Sequence, residues 1–280
     1  MIVSPMDQSP ALHSGILAGD IIESIDGEEA TDTAINALVS RLTGPVGTDV
    51  VLMVRHPNGE KEEIIVTRGH IISRTISGLI RRDQQWSWCL DDELGIAYIK
   101  IRQFTSSTVG ELQLALSSLK DNGLDRGLVL DLRDNPGGAL DAAIAVVDMF
   151  LENGQIVTVT GRGKPKSGAR ATPTLLTKVP ILVLINGNSA SASEIVAGAL
   201  QGNHRAVVLG SRSFGKGSVQ EVEEIAGGLL KLTVAKYDLP TGRTIDKKLT
   251  QDKSLWGVDT TEGLVVIESF LDREDRIKTT

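Results

Sequence analysis

Residues 181–220 read ILVLINGNSASASEIVAGALQGNHRAVVLGSRSFGKGSVQ, a strand–turn–helix–strand–loop pattern that dictates much of what can surround it. Ile181 to Ile185 is an apolar run of the kind a buried parallel strand gives. Asn186-Gly187-Asn188 is a turn signal, and the serine cluster Ser189-Ala-Ser191-Ala-Ser193-Glu194 leads into Ile195, Val196, Ala199 and Leu200 at helical spacing. Serines at a helix N-terminus meet unpaired backbone N–H groups and the positive end of the helix dipole. Such a place suits a serine alkoxide and an oxyanion. Ala206 to Leu209 reads as a second buried strand, and Gly210 to Gly217 as a loop with one lysine, Lys216. Gln220 follows four positions later.

A serine hydroxyl needs a base, which is histidine or a lysine held neutral. The four histidines, His13, His56, His70 and His204, lack any comparable glycine or serine context, so lysine is the better candidate. Two decoys overlap the stretch. Gly210-x-x-x-x-Gly215-Lys216 imitates a phosphate-binding P-loop, but Gly217 stands where the Mg²⁺-holding Ser or Thr is needed. Ser213-x-x-Lys216 imitates penicillin-recognising enzymes, whose companion Ser-Asp-Asn and Lys-Thr-Gly motifs are absent.

Taken together, Ser189-Ala-Ser-Ala-Ser-Glu194, Phe214-Gly-Lys-Gly217 and Gln220 resemble the carboxyl-terminal processing peptidases, also called tail-specific proteases. The resemblance implies a Ser-Lys dyad, often extended by a Gln. It puts the nucleophile 25 positions before the lysine, at Ser191, with Lys216 as base and Gln220 orienting it. Ser189 and Ser193 are then structural. Asp131-Leu-Arg-Asp-Asn-Pro-Gly-Gly138 matches a second motif of the family. It implies an oxyanion hole made by backbone N–H groups of Gly137, or its neighbour Gly138, and Ala192. Glycine suits the task because backbone can approach the substrate closely there. Some family members carry an Asp eleven residues after the nucleophile; Gly202 stands there, which leaves Gln220 as the partner of Lys216. Phe214, the flanking glycines and the lack of nearby acids in the sequence suggest an apolar setting that depresses the Lys216 pKa. Tyr237 to Ile245 resembles a family segment that supports the site rather than reacting.

Upstream, residues 1–69 read as a β-rich domain. Strands are expected over 21–25, 50–54 and 63–66, a hairpin at Asp26-Gly27, and a helix over 33–42 with Ile35, Leu38, Val39 and Leu42 on one face. SPALHSGILAGDIIESIDG resembles the PDZ domains of the same family, which take a peptide C-terminus as an added strand. The carboxylate loop and first strand of that pattern would precede Ile2, so the PDZ domain is expected to be N-terminally truncated. Residues 70–280 form the expected α/β protease core with a C-terminal tail. Strands alternate with helices over 95–236, and residues 161–174 read as a basic loop.

Net charge is −7, which disfavours a nucleic-acid partner held by phosphate contacts. One cysteine, Cys89, rules out a disulfide within the chain. No His/Cys/Asp cluster suggests a metal, and the chemistry requires no cofactor. The resemblance implies protein or peptide substrates with free C-termini, membrane-associated ones among them, and a periplasmic or other extracytoplasmic setting. Oligomerisation stays open. The rival readings are a peptide-binding adaptor with a locked protease core and the P-loop nucleotidase.

Overall fold

The computed structural model describes residues 1–2, 5–6, 9–31, 33–71, 74–82, 85–161, 167–225, 228–250 and 252–266. Contacts divide the chain into two compact units, Met1–Ser73 and Arg74–Thr280.

In the first unit the elements run α1 (Pro10–His13), β1 (Ile21–Ile25), β2 (Glu28–Glu29), α2 (Ile35–Leu42), β3 (Asp49–Arg55) and β4 (Lys61–Thr67). The strands form an antiparallel sheet in the order β2-β1-β3-β4. Asp26 and Gly27 both have positive φ, 51° and 81°, as a two-residue hairpin loop demands. Ser9 caps α1 by accepting the Leu12 N–H at 3.2 Å, with Pro10 in the first turn. Ile16, Ile25, Val50, Leu52, Val54, Ile64 and Val66 fill the core. Helix α2 starts at Ile35, two residues later than its periodicity suggests. Its apolar face is only partly covered: Leu38 and Leu42 are half-buried, while Ile35 and Val39 are exposed. Those residues border a groove whose other wall is Ile21, Ile22 and Ile25 of β1.

The second unit begins with four short strands: β5 (Ile76–Ser77), β6 (Ile80–Arg82), β7 (Gln85–Ser87) and β8 (Cys89–Asp91). There follow β9 (Ile96–Ile101), α3 (Thr108–Asp121), β10 (Gly127–Asp131), α4 (Leu140–Asp148), β11 (Gln155–Gly161) and β12 (Ser167–Arg170). The last are β13 (Ile181–Ile185), α5 (Ala192–Gly202), β14 (Ala206–Gly210), β15 (Ser218–Ile225) and β16 (Gly228–Asp238). Strands β9, β10, β13 and β14 are parallel and adjacent in sequence order, with α3, α4 and α5 in the crossovers. Ala97, Ile99, Leu128, Leu130, Val183 and Val208 bury one face of this sheet in a core shared with Leu112, Val146, Val147, Ile195 and Leu200. Each large aliphatic side chain so buried stabilises the fold by about 1.5–3 kcal/mol. A second, antiparallel sheet has the order β12-β11-β16-β15.

The stretch expected as a basic loop over 161–174 contains strand β12, paired with β11 from Gln155↔Arg170 to Val159↔Ser167. Ser-Gly-Ala-Arg carries no strand pattern of its own; its pairing comes from β11. Residues 162–166 lie outside the described residues.

Candidate active site

Strands β10, β13 and β14 run side by side and end at the same edge of the sheet. The three segments that leave that edge carry the motifs singled out above: Arg133–Ala139 after β10, Asn186–Ser191 after β13, and Ser211–Gly217 after β14. An open parallel sheet usually places its functional groups outside the carboxyl ends of its strands.

The first two segments are laced together. The Ser189 hydroxyl donates to Leu132 O at 2.8 Å and accepts the Asn186 N–H at 3.0 Å. Ser193 Oγ donates to Asn135 O at 2.9 Å, and the Ala190 N–H reaches the same carbonyl at 3.0 Å. Asp134 Oδ1 accepts from Asn188 Nδ2 at 2.7 Å and from Asn186 Nδ2 at 3.1 Å. Ser189 and Ser193 are fully buried and their hydroxyls are occupied. Ser191 alone of the three keeps access to solvent.

Ser191 sits at the N-cap of α5 with φ 57° and ψ −115°, a backbone that few residues with a side chain adopt. A sharp strand-to-helix turn of this sort exposes a nucleophile above a sheet. What holds the strain is Glu194, three residues into the helix. Its fully buried carboxylate accepts four hydrogen bonds. Oε2 takes the Ser191 and Lys216 N–H groups, each at 2.8 Å. Oε1 takes the Gly215 N–H at 2.7 Å and the Ser213 hydroxyl at 2.6 Å. Burial pushes this carboxyl above its ordinary pKa, against the pull of those four donors. One side chain therefore fixes the nucleophile turn and the lysine loop to each other.

The lysine loop is also gripped from behind. Ser213 exchanges hydrogen bonds with Val258, whose N–H reaches Ser213 Oγ at 2.8 Å. Tyr237 N–H donates to Gly217 O at 2.8 Å and Lys247 N–H to Gly215 O at 3.2 Å. Gly215 has φ +84°, and a Cβ there would lie 2.6 Å from the Trp256 ring. The Tyr237–Ile245 segment thus supports the loop, as its resemblance implied.

The Lys216 side chain is exposed, contrary to the expected apolar burial. Its sequence neighbour Phe214 is exposed too and stacks under Lys247, whose Nζ lies 3.6 Å from the ring centroid. The two glycines lie against Trp256 and Ile245 through their backbone and give the amine no cover. Among the described residues no hydrogen bond joins Lys216 Nζ to Ser191 Oγ. Gln220 lies on β15, opposite Thr233 of β16; its side chain is outside the described residues.

On the oxyanion side, Gly137 (φ +100°) lies directly against the nucleophile turn: a Cβ on it would meet Ala190 O at 2.7 Å and Ser191 Cβ at 2.8 Å. Its N–H, however, donates to Asn135 Oδ1 at 2.8 Å. The N–H groups of Gly138 and Ala192 make no hydrogen bond among the described residues. Asp131, at the end of β10, is taken up by Tyr98 Oη at 2.6 Å and by Arg133 at 2.7 Å. Neither decoy survives the geometry. Lys216 is followed by strand β15, where a P-loop requires a helix. Ser213 is buried with its hydroxyl held by Glu194.

Sequence reasoning assigned no role to Glu194. Ser191-x-x-Glu194 is a capping-box pattern, which foretells the bond back to the Ser191 N–H. Nothing local foretells the bonds to Ser213, Gly215 and Lys216. Glu194→Gln is expected to lower kcat about 100-fold with an unchanged fold, because an amide NH₂ would face two of the four donors and let the turn and loop drift apart. Steady-state kinetics beside a circular-dichroism melt measure this; a kcat within twofold of wild type would refute the role.

Comparison with known proteins adds the following. Residues 95–255 match peptidase family S41. A carboxy-terminal-processing protease of Bartonella bacilliformis is 41% identical over 252 residues, which cover 87% of this chain and 55% of the relative. A carboxyl-terminal-processing protease of a Picosynechococcus species is 36% identical over 250 residues, covering 88% of this chain and 58% of that protein. The solved structure of a photosystem II D1 C-terminal processing protease superposes with a TM-score of 0.58 at 26% identity, over 94% of this chain and 67% of that one. The chain spans little more than half the length of the two curated relatives.

Proposed function

This chain belongs to peptidase family S41, and from that premise we propose that it is a serine endopeptidase that cleaves protein substrates near their C-termini through an acyl-enzyme. One observation carries the reading. Ser191, the sole solvent-accessible serine of its cluster, stands on a strained turn that Glu194 ties to the Lys216 loop.

In the proposed mechanism Ser191 Oγ attacks the scissile carbonyl while neutral Lys216 takes its proton and later passes it to the leaving amine. The carbonyl oxygen, now an oxyanion, is met by the Ala192 N–H at the helix N-terminus and by a second donor from the Gly137–Gly138 turn. In the free protein Gly138 has the open amide. Gly137 donates only if it first exchanges Asn135 Oδ1 for the oxyanion. Water then attacks the ester with Lys216 again as base. Gln220 orients the amine in this reading, by resemblance. Because Lys216 is exposed, its cover has to come from the substrate itself.

The first unit is assigned as PDZ-like. The groove between β1 and α2 has an apolar wall and an uncovered helix face, although β1 itself is flanked by β2 and β3. An extracytoplasmic setting follows by resemblance alone. No helix among the described residues is long and apolar enough to cross a membrane.

The locked-adaptor alternative has two features in its favour, the Gly137–Asn135 bond and the unjoined Ser191 and Lys216. A fluorophosphonate probe and intact-mass analysis of a protein with an unstructured apolar C-terminal tail decide between them. The peptidase reading expects one probe adduct, on Ser191, and a substrate shortened from its C-terminus. An unlabelled protein and an intact substrate would assign the adaptor.

A further inference from the structure

Two lysines follow the segment that grips the base loop, and the grip uses their backbone alone. Lys247 and Lys248 are both exposed. The Lys247 N–H donates to Gly215 O at 3.2 Å, and the Lys248 N–H to Oδ1 of the buried Asp246 at 2.9 Å. From this fixed backbone Lys247 lays its ammonium on the ring of Phe214, with Nζ 3.6 Å from the centroid. Phe214 is 43% exposed and stands two residues before the proposed base. Its N–H donates to Ser189 O at 2.9 Å, two residues before the proposed nucleophile. A large apolar ring is therefore bare to solvent beside both loops of the site, with a cation seated on it.

A cation–π contact orients an ammonium without neutralising it, and those of its three N–H donors turned away from the ring stay open. Among the described residues Lys247 makes no ion pair. The acids of this region are engaged elsewhere. Asp246 holds the Lys248 N–H, and Asp252 holds the N–H and hydroxyl of Ser254 at 2.9 and 2.7 Å. Asp259 is shared by Arg212 and Arg243, and Glu194 is buried under its four donors. Asp141, exposed on α4, lies close enough to Tyr237 for its charge to be felt there. The other cations are Lys216 and Lys248, both exposed and neither in an ion pair among the described residues. A peptide brings one kind of anion to such a place, a carboxylate, from a chain terminus or from an Asp or Glu side chain. The ring beneath offers an apolar surface to the neighbouring side chain.

We propose that Lys247 and Phe214 form a subsite that takes a substrate carboxylate, with an adjoining apolar side chain packed on the Phe214 ring. This rests on the peptidase reading and adds its specificity. Phe214 is two residues from Lys216, a span of at most about 7 Å, and an extended peptide advances about 3.3 Å per residue. The carboxylate thus falls roughly two to four residues from the scissile bond.

The test is a binding measurement that needs no turnover. Fluorescein-labelled ten-residue peptides of Ala, Val and Ser, amidated at the C-terminus, carry one Glu, Gln or Lys moved through each position in turn. One further peptide without any of these ends in a free carboxylate. Anisotropy is read with the Ser191→Ala protein, alone and combined with Lys247→Met, Lys247→Glu or Phe214→Ser. Glu at one or two adjacent positions, or the free terminus, is expected to bind about five- to tenfold tighter than the Gln or amide counterpart, largely lost in 1 M salt. An internal preference assigns the carboxylate to a side chain, and a gain confined to the free terminus assigns it to a chain end. Lys247→Met abolishes the preference, Lys247→Glu turns it towards Lys, and Phe214→Ser weakens it about two- to fivefold. Each result is a ratio within one protein, so a general loss of binding does not imitate it. No advantage of Glu over Gln anywhere, with none for the free terminus, overturns the proposal. So does any preference that survives Lys247→Met, which belongs to another part of the chain, or one undiminished in Phe214→Ser. Cleavage of the same peptides by the wild type is scored separately: peptides bound in the expected order but never cut would refute the peptidase reading and leave the carboxylate subsite standing.

Discussion

Replacing Ser191 by alanine is expected to abolish peptide hydrolysis, with kcat falling by about 10⁴- to 10⁶-fold, while the melting temperature hardly moves. Both halves follow from the position of its hydroxyl. Ser191 contributes to the fold through its backbone, which bonds Glu194 and Ile195, and alanine keeps those bonds. Ser189→Ala and Ser193→Ala should behave the other way round. Ser189 would leave the Leu132 carbonyl and the Asn186 N–H unpaired in the core, and Ser193 would leave the Asn135 carbonyl one donor short. Each is expected to cost about 1–3 kcal/mol in a denaturant melt and to leave part of the activity. Activity kept in Ser191→Ala and lost in Ser193→Ala would show the nucleophile to be a different serine.

Lys216→Arg is expected to be inactive as well, with kcat down by about 10²- to 10⁴-fold. Arginine keeps the positive charge and much of the length but does not give up its proton in a protein, so it cannot relieve Ser191 of its own. Lys216→Ala should lose as much, and here the exposure of the side chain matters. A lysine sealed in an apolar pocket could not be replaced from solution. An exposed one leaves a vacancy that a small primary amine can enter. Ethylamine or propylamine added to Lys216→Ala should restore part of the hydrolysis in proportion to its concentration and do nothing for Lys216→Arg, where the guanidinium fills the space. Steady-state rates against amine concentration measure it. An active Lys216→Arg enzyme would remove the lysine from its role as base.

The parts legible in the sequence were those with one period and one burial state. Strand β13 and the two strands beside it are short aliphatic runs bounded by turns, and α5 repeats its apolar residues at helical spacing. Asp26-Gly27 set its hairpin because both positions must take positive φ. Strand β12 went unseen because Ser-Gly-Ala-Arg becomes a strand only beside β11. The two- and three-residue strands β5 to β8 are too short to show a period. At the site, spacing and resemblance singled out Ser191, and the structure adds that Ser189 and Ser193 are buried. The surroundings of Lys216 were misjudged for a plain reason. Its neighbours in the chain, Phe214 and two glycines, are not what lies over its amine, and the acid that matters to its loop arrives from Glu194, 22 positions upstream.

The supports of the lysine loop also come late in the order in which the chain is made. Synthesis delivers Ser191 first and Lys216 later, yet the loop bearing Lys216 is fastened by Tyr237, Ile245, Trp256 and Val258, which come later still. A nascent polypeptide that has emerged as far as β15 possesses nucleophile and base in sequence but lacks the anchors that hold the base loop in register with Glu194. Domains fold as their residues become available. The register of the base loop with Glu194 is thus a property of the finished fold, complete only when residues 256–258 are in place.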